Sequence, residues 1–162
     1  MFDDPLIRQL ATELHQSEKS RVQVEHFSKR YPGMTIEDGY RISRAWMDLK
    51  RAEGRTVIGH KIGLTSKAMQ NALNINMPDS GFLLDDMFFA DGGEIPTSRF
   101  IETRIEAELA FVLKSRLSGP NCTLFDVLRA TEYVTPALEI LDTRIMRVDP
   151  ETKKTRTVFD TI

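Results

Sequence analysis

Arg104-Ile105-Glu106-Ala107-Glu108-Leu109-Ala110-Phe111-Val112 is the stretch that decides the fold. Successive side chains of a strand point to opposite faces. Ile105, Ala107, Leu109 and Phe111 then share one face. Glu106 and Glu108 share the other, followed by Ala110 and Val112. Apart from the two acids both faces are apolar, which predicts a strand buried on both sides. Two neighbouring carboxylates there need compensation. At about 4 Å and an effective dielectric near 20, a like-charge pair costs roughly 4 kcal/mol. Proton uptake, a basic partner or a metal ion relieves it. Thr135-Pro136-Ala137-Leu138-Glu139-Ile140-Leu141 is a second apolar strand, interrupted by Glu139. Three oxygen donors suit magnesium or manganese rather than a softer metal. A solvated Glu-x-Glu edge, with Glu139 paired to an arginine, fits the spacing as well.

Upstream of this strand the pattern is helical. Residues 5–30 carry Leu6, Ile7, Leu10, Leu14, Val22, Val24 and Phe27, with a polar break near residues 16–19. Tyr31-Pro32-Gly33 signals a turn. Thr35 predicts an N-cap for a helix running to Gly54. Beyond Gly54 the pattern changes. Residues 57–64, 81–89, 104–113 and 134–142 predict strands. Thr65 predicts the cap of a helix through about Leu73, Thr123 that of a helix over 124–132, and 157–162 reads as a strand. The layout is α+β: an N-terminal helical region, 1–54, then the first part of a β-rich catalytic domain, 55–162.

A second group of candidates lies in Gly59-His60-Lys61-Ile62-Gly63-Leu64-Thr65-Ser66. Strand alternation groups Lys61 with Gly59 and Gly63, so a ligand could approach both backbone and ammonium. The Leu64-Thr65-Ser66 junction offers backbone N–H groups to a carboxylate. His60 falls on the apolar side and reads as a hydrogen-bonded core histidine. Asp79, in Met77-Pro78-Asp79-Ser80-Gly81, reads as a turn residue. Asp85-Asp86 marks a bend. Cys122 has no basic sequence neighbour to activate a thiol.

Composition narrows the partners. With 22 Lys and Arg against 24 Asp and Glu, the net charge of -2 gives no electrostatic reason to expect nucleic acid. No apolar run approaches a membrane span, and the first residues lack the pattern of a secretory signal. One cysteine excludes an intrachain disulfide framework. The expectation is a cytoplasmic protein.

Four stretches together, GHKIGLTSKAMQ, PDSGFLLDDMFF, RIEAELAFVL and VTPALEILDTR, resemble the hydratase and decarboxylase branch of the fumarylacetoacetate hydrolase superfamily. The resemblance runs in order along essentially the whole chain. It implies Glu106, Glu108 and Glu139 as ligands of Mg²⁺, with Mn²⁺ as the alternative. It implies Lys61 and Asp79 as catalytic residues. The expected fold is a mixed β-sandwich or roll behind the helical region, incomplete at the C-terminus because family chains continue past Ile162. Homo-oligomers are expected.

The implied reaction is hydration of a 2-hydroxydienoate, or its 2-oxo tautomer, to a 4-hydroxy-2-oxo acid in aromatic compound degradation. Leu64, Thr65 and Ser66 are the expected substrate contacts. Arg104 and Arg144 are positional candidates for anchoring a distal carboxylate. Decarboxylation of 2-oxo-3-hexenedioate fits the same scaffold. A shortened, non-catalytic assembly subunit is the alternative of another kind. C–C bond hydrolysis would call for a His–Glu relay in the lead region, and His15, His26 and His60 show none in the sequence.

Overall fold

The computed structural model describes residues 1–72 and 74–161. Leu73 and Ile162, the expected ends of a helix and a strand, lie outside the described residues. The chain divides into two compact units, residues 1–101 with 143–162, and residues 102–142. N-terminal helices precede small antiparallel sheets. No described helix is long and apolar enough to cross a membrane.

The core of the first unit is helical. Helix α1 spans Asp4–Ser20, with Asp3 accepting from the Leu6 N–H and Pro5 in the first turn. Ile7, Leu10, Ala11 and Leu14 are buried at three- and four-residue steps. They pack with Phe27, Met34, Ile42 and Ile145. Burying each large side chain contributes about 1.5–3 kcal/mol. The expected helix over 5–30 is interrupted. Arg21 adopts φ 58° and ends α1, Val24 bridges Ile145, and a short α2 follows at Phe27–Arg30. A backbone partner from a distant segment overrides helical periodicity there. Helix α3, Ile36–Ala52, starts as expected from Thr35, which forms a capping box with Asp38.

Residues 143–161 close this unit through buried carboxylates. Asp160 accepts from the N–H and Oγ–H of Ser28 and from both donors of Thr157. Asp149 takes Lys29 at 2.8 Å and both donors of Thr152. These bonds explain why the strand expected at 157–162 is a 3-10 turn, Val158–Asp160. The Thr157 hydroxyl and Asp160 carboxylate satisfy the backbone locally, leaving no need for a ladder.

Strands β1, Val57–Gly63, and β2, Asp79–Leu84, pair antiparallel. Helix α4, Lys67–Ala72, lies between them in sequence. It begins after Ser66, so Ser66 rather than Thr65 immediately precedes it. The strand expected over 81–89 starts earlier and stops at Leu84, where Asp85–Met87 form a 3-10 turn. Asp86 pairs with Arg55 and Arg99 at that bend.

The second unit is an antiparallel pair, β3, Arg104–Leu113, and β4, Thr131–Leu141, with α5, Leu124–Ala130, between them. Thr123 and Asp126 form the capping box of α5. The expectation that β3 is buried on both sides is corrected. Glu106, Glu108, Ile105 and Leu109 are all exposed, Ile105 at 66% and Leu109 at 64%. A two-stranded sheet has two open faces, and no further layer within this unit covers either.

Candidate functional site

The register of β3 and β4 assembles a cluster of carboxylates. Glu106 stands opposite Glu139, and Glu108 stands opposite Ala137 on the same face. One carboxylate oxygen from each glutamate can be chosen so that all lie within 4.8 Å of one another. Ala137 matters here, because its small side chain leaves the space beside Glu108 open. Glu106 and Glu108 are exposed and Glu139 is half-buried. Repulsion is therefore weaker than a buried strand would impose, nearer about 1 kcal/mol per pair at 4 Å in water. Convergence of three hard oxygen donors, rather than burial, is what fits a divalent cation such as Mg²⁺. Against a 2+ ion the three carboxylates leave a net charge of -1. Arg104 shares their face, two residues before Glu106. Arg144 belongs to the other unit, with its guanidinium 5.1 Å from the Trp46 ring centre.

A second constellation occupies one face of the β1–β2 pair. Lys61 lies opposite Gly81, and Gly63 lies opposite Asp79. Both side chains on this face thus meet a glycine across the ladder. Lys61 Nζ stands 3.5 Å from Asp79 Oδ2, and the two side chains are 31% and 15% exposed. Asp79 Oδ1 is buried without a hydrogen-bond partner. Ile36, Tyr40, Leu64, Met77 and Val158 line an apolar cleft beside Asp79. The turn position expected for Asp79 is corrected: it is the first residue of β2. Sequence proximity to Pro78 and Gly81 favoured a turn, but pairing with Gly63 extends the strand back to it.

The opposite face of β1 also departs from expectation. His60 is exposed and lies against Phe82, with ring centres 5.4 Å apart. It is not a core histidine. Alternation places Lys61 and His60 on opposite faces, but the sheltered one is the lysine's.

At the exit of β1, Leu64 takes φ 54°, a left-handed conformation costly for a branched side chain. The buried Gln70 side chain holds it, donating to the Leu64 carbonyl at 2.7 Å, and Lys67 donates to Gln70 at 2.9 Å. Thr65 and Ser66 are exposed after this bend.

Two further groups bear on chemistry. His15 Nε2 lies 3.0 Å from Glu53 Oε1, a His–Glu pair that the sequence conceals because its members sit on different segments, 38 residues apart. A relay histidine needs one nitrogen on the carboxylate and the other open to water. Here the second nitrogen, Nδ1, is buried without a partner. Glu53 also binds Lys19, and that bond, with His15, outweighs partial burial and holds its carboxyl below the usual range. The pair is a helix-to-helix tie. Cys122 is exposed, and its thiol donates to the Gly119 carbonyl at 3.4 Å, consistent with a turn role.

No protein-family profile matches the chain. It is 60% identical over all 162 residues to a 2-oxo-hept-4-ene-1,7-dioate hydratase of Escherichia coli, spanning 61% of that protein. It is 43% identical over 145 residues to a 2-hydroxypent-2,4-dienoate hydratase of Pseudomonas putida, covering 89% of this chain and 65% of that one. A solved structure of 4-oxalocrotonate decarboxylase from Pseudomonas putida G7, complexed with magnesium and adipate, aligns with a TM-score of 0.84 at 32% identity. That alignment covers 96% of this chain and 62% of the decarboxylase. The chain therefore resembles hydratases and decarboxylases of the fumarylacetoacetate hydrolase superfamily throughout, and spans about three fifths of their length.

Proposed function

We propose that these residues belong to a magnesium-dependent hydratase of a seven-carbon diacid, a 2-hydroxydienoate or its 2-oxo-4-ene tautomer, making a 4-hydroxy-2-oxo acid in aromatic compound degradation. The observation that carries this reading is the convergence of Glu106, Glu108 and Glu139 in a chain 60% identical to a 2-oxo-hept-4-ene-1,7-dioate hydratase. The three glutamates would hold Mg²⁺, with Mn²⁺ an alternative. When bound, the ion would supply positive charge to a substrate carboxylate and its C2 oxygen.

Lys61 and Asp79 are the proposed proton carriers. Ketonisation moves the enol proton from the C2 oxygen to C5 and leaves C3=C4 conjugated with the carbonyl. Water then adds its oxygen to C4 and a proton to C3. Lys61 Nζ, 3.5 Å from Asp79 Oδ2, can hold or return the proton that leaves the C2 hydroxyl. The backbone of Leu64, Thr65 and Ser66 is the proposed contact for a substrate carboxylate. We assign 1–54 as the helical lead and 55–162 as the first part of a β-rich catalytic domain of mixed sandwich or roll form, in a cytoplasmic homo-oligomer.

Decarboxylation of 2-oxo-3-hexenedioate is the second reading, favoured by the alignment with 4-oxalocrotonate decarboxylase. The lower identity on that side, 32% against 60%, places it second. Magnesium titration of the chain, followed by calorimetry, tests the metal site. Supplying both diacids and following water addition against CO2 release tests the reaction. Absence of magnesium binding, or equal binding by Glu106→Ala, would sink the assignment of the site.

A further inference from the structure

We propose that Gly63 and Gly81 are positioning residues that set the contact between Lys61 and Asp79 through the space they leave empty. Neither glycine has a positive φ, so conformational freedom is not the reason for it. Space is. A Cβ built on Gly63 would overlap Asp79 Oδ1, and would stand 3.1 Å from Lys61 Nζ and 3.3 Å from Asp79 Cγ. A Cβ built on Gly81 would stand 3.3 Å from Lys61 Cγ and 3.5 Å from its Cε. The register explains both encounters, since Gly81 lies opposite Lys61 and Gly63 lies opposite Asp79. The lysine stem therefore runs in a trough over Gly81, and its ammonium ends above Gly63 against the carboxylate. Gly59 differs: a Cβ there meets only the Leu83 side chain, at 3.5 Å or more, an ordinary contact.

A flexible lysine on an open strand would sample many rotamers. The trough restricts it to the ones that reach Asp79, and the Gly63 side is closed to anything larger than hydrogen. Gly63 acts on Asp79 and on the head of Lys61, whereas Gly81 acts on the stem. The two substitutions therefore have different consequences. Gly63→Ala drives the carboxylate away. Gly81→Ala tilts the stem by the few tenths of an ångström that its contacts demand.

Zero-length carbodiimide cross-linking reads this contact without reference to catalysis. The reagent activates a carboxylate, and an amine in contact displaces it to form an amide with net loss of one water. The Lys61–Asp79 cross-link is measured by peptide mass spectrometry against the Lys29–Asp149 pair, 2.8 Å apart, as internal reference. The wild-type chain is expected to give the Lys61–Asp79 product. Gly63→Ala is expected to lower its yield about tenfold or more, since ångström-scale misplacement cuts effective concentration that steeply. Gly81→Ala should lower it less, and Ile62→Ala, on the exposed opposite face, should leave it unchanged. If Gly63→Ala fails to fold, Gly63→Ala/Asp79→Ala is expected to fold, because removing the carboxylate makes room for the new methyl. A wild-type yield in Gly63→Ala, no product in the wild type, or a double variant that also fails to fold would each overturn the proposal. Hydration activity tests the role of Lys61 in the reaction separately from this contact.

Discussion

Glu106→Gln should change the stability of the apo chain and its response to magnesium in opposite directions. The substitution keeps the shape of the side chain and removes its charge. Two like-charge pairs disappear, Glu106 with Glu108 and Glu106 with Glu139. With oxygens that can lie within 4.8 Å of one another, each pair repels by about 0.9 kcal/mol in a water-like dielectric. Salt at about 0.15 M, with a Debye length near 8 Å, reduces the sum of two from about 1.7 to about 1 kcal/mol. The apo variant should therefore melt about 2–4 °C above the wild type. Magnesium at about a hundred times its Kd should add roughly 2.7 kcal/mol to the wild type. If loss of one anionic ligand weakens binding tenfold, the same magnesium adds only about 1.4 kcal/mol to the variant. Thermal unfolding by circular dichroism, with and without magnesium, gives all four numbers. Equal magnesium stabilisation of both proteins, or an apo variant less stable than the wild type, would refute the reading of the triad as a repulsive apo cluster relieved by a cation.

The remaining predictions concern separate parts of the chain. In the proposed hydration, Lys61→Ala should lower the rate about 10²–10⁴-fold while leaving magnesium affinity in place, checked by steady-state rates beside calorimetry. Asp160→Ala should destabilise by about 2–3 kcal/mol in denaturant unfolding, since donors of Ser28 and Thr157 lose their acceptor. Burial alone would raise the Asp160 carboxyl, but bonds from Ser28 and Thr157 outweigh it and hold the group below its usual range. Asp38 behaves alike: burial opposes ionisation, while Phe2 and Thr35 donate to the carboxylate and win. With folded pKa values depressed, this stabilisation is fully present above the unfolded value of about 3.9 and is lost as pH falls through the folded values. Unfolding midpoints should thus drop steeply in that acid window, and the drop should be smaller in Asp160→Ala. Thr35→Ala should cost about 1 kcal/mol, read in the same denaturant series, because one half of the α3 capping box is lost.

Much of this was legible in the residues, for local reasons. Thr35 and Thr123 predicted helix starts because a hydroxyl followed three residues on by a carboxylate satisfies orphan N–H groups by itself. Alternation placed Glu106 and Glu108 on one face because a two-residue period survives any packing. Failures occurred where distant segments decide. Val24 leaves the helical pattern because it bridges Ile145, 121 residues later, donating to the Arg144 carbonyl and accepting from the Met146 N–H. His15 and Glu53 meet because α1 and α3 pack together, which no local window reveals. Ile58, His60 and Ile62 make the other face of β1 the more apolar in sequence, yet the Lys61 face is the sheltered one, with an apolar cleft beside Asp79.

The exposure of β3 changes what the carboxylate pattern means. In a strand buried on both sides, two charges would need a proton, a basic partner or a metal ion. Among the described residues β3 is exposed, and at that exposure three glutamates can coexist at modest cost. What remains specific is the geometry: a cross-strand partner for Glu106, a small residue opposite Glu108, and all three acids on one face. The other face pairs Ile105 with Ile140, Ala107 with Leu138, Leu109 with Pro136 and Phe111 with Val134, without a charge among them. A solvated acidic edge has no need of that division. Acids gathered on one face of the strand pair, with those four uncharged pairs on the other, leave chemistry to one side and hydrophobic contact to the other.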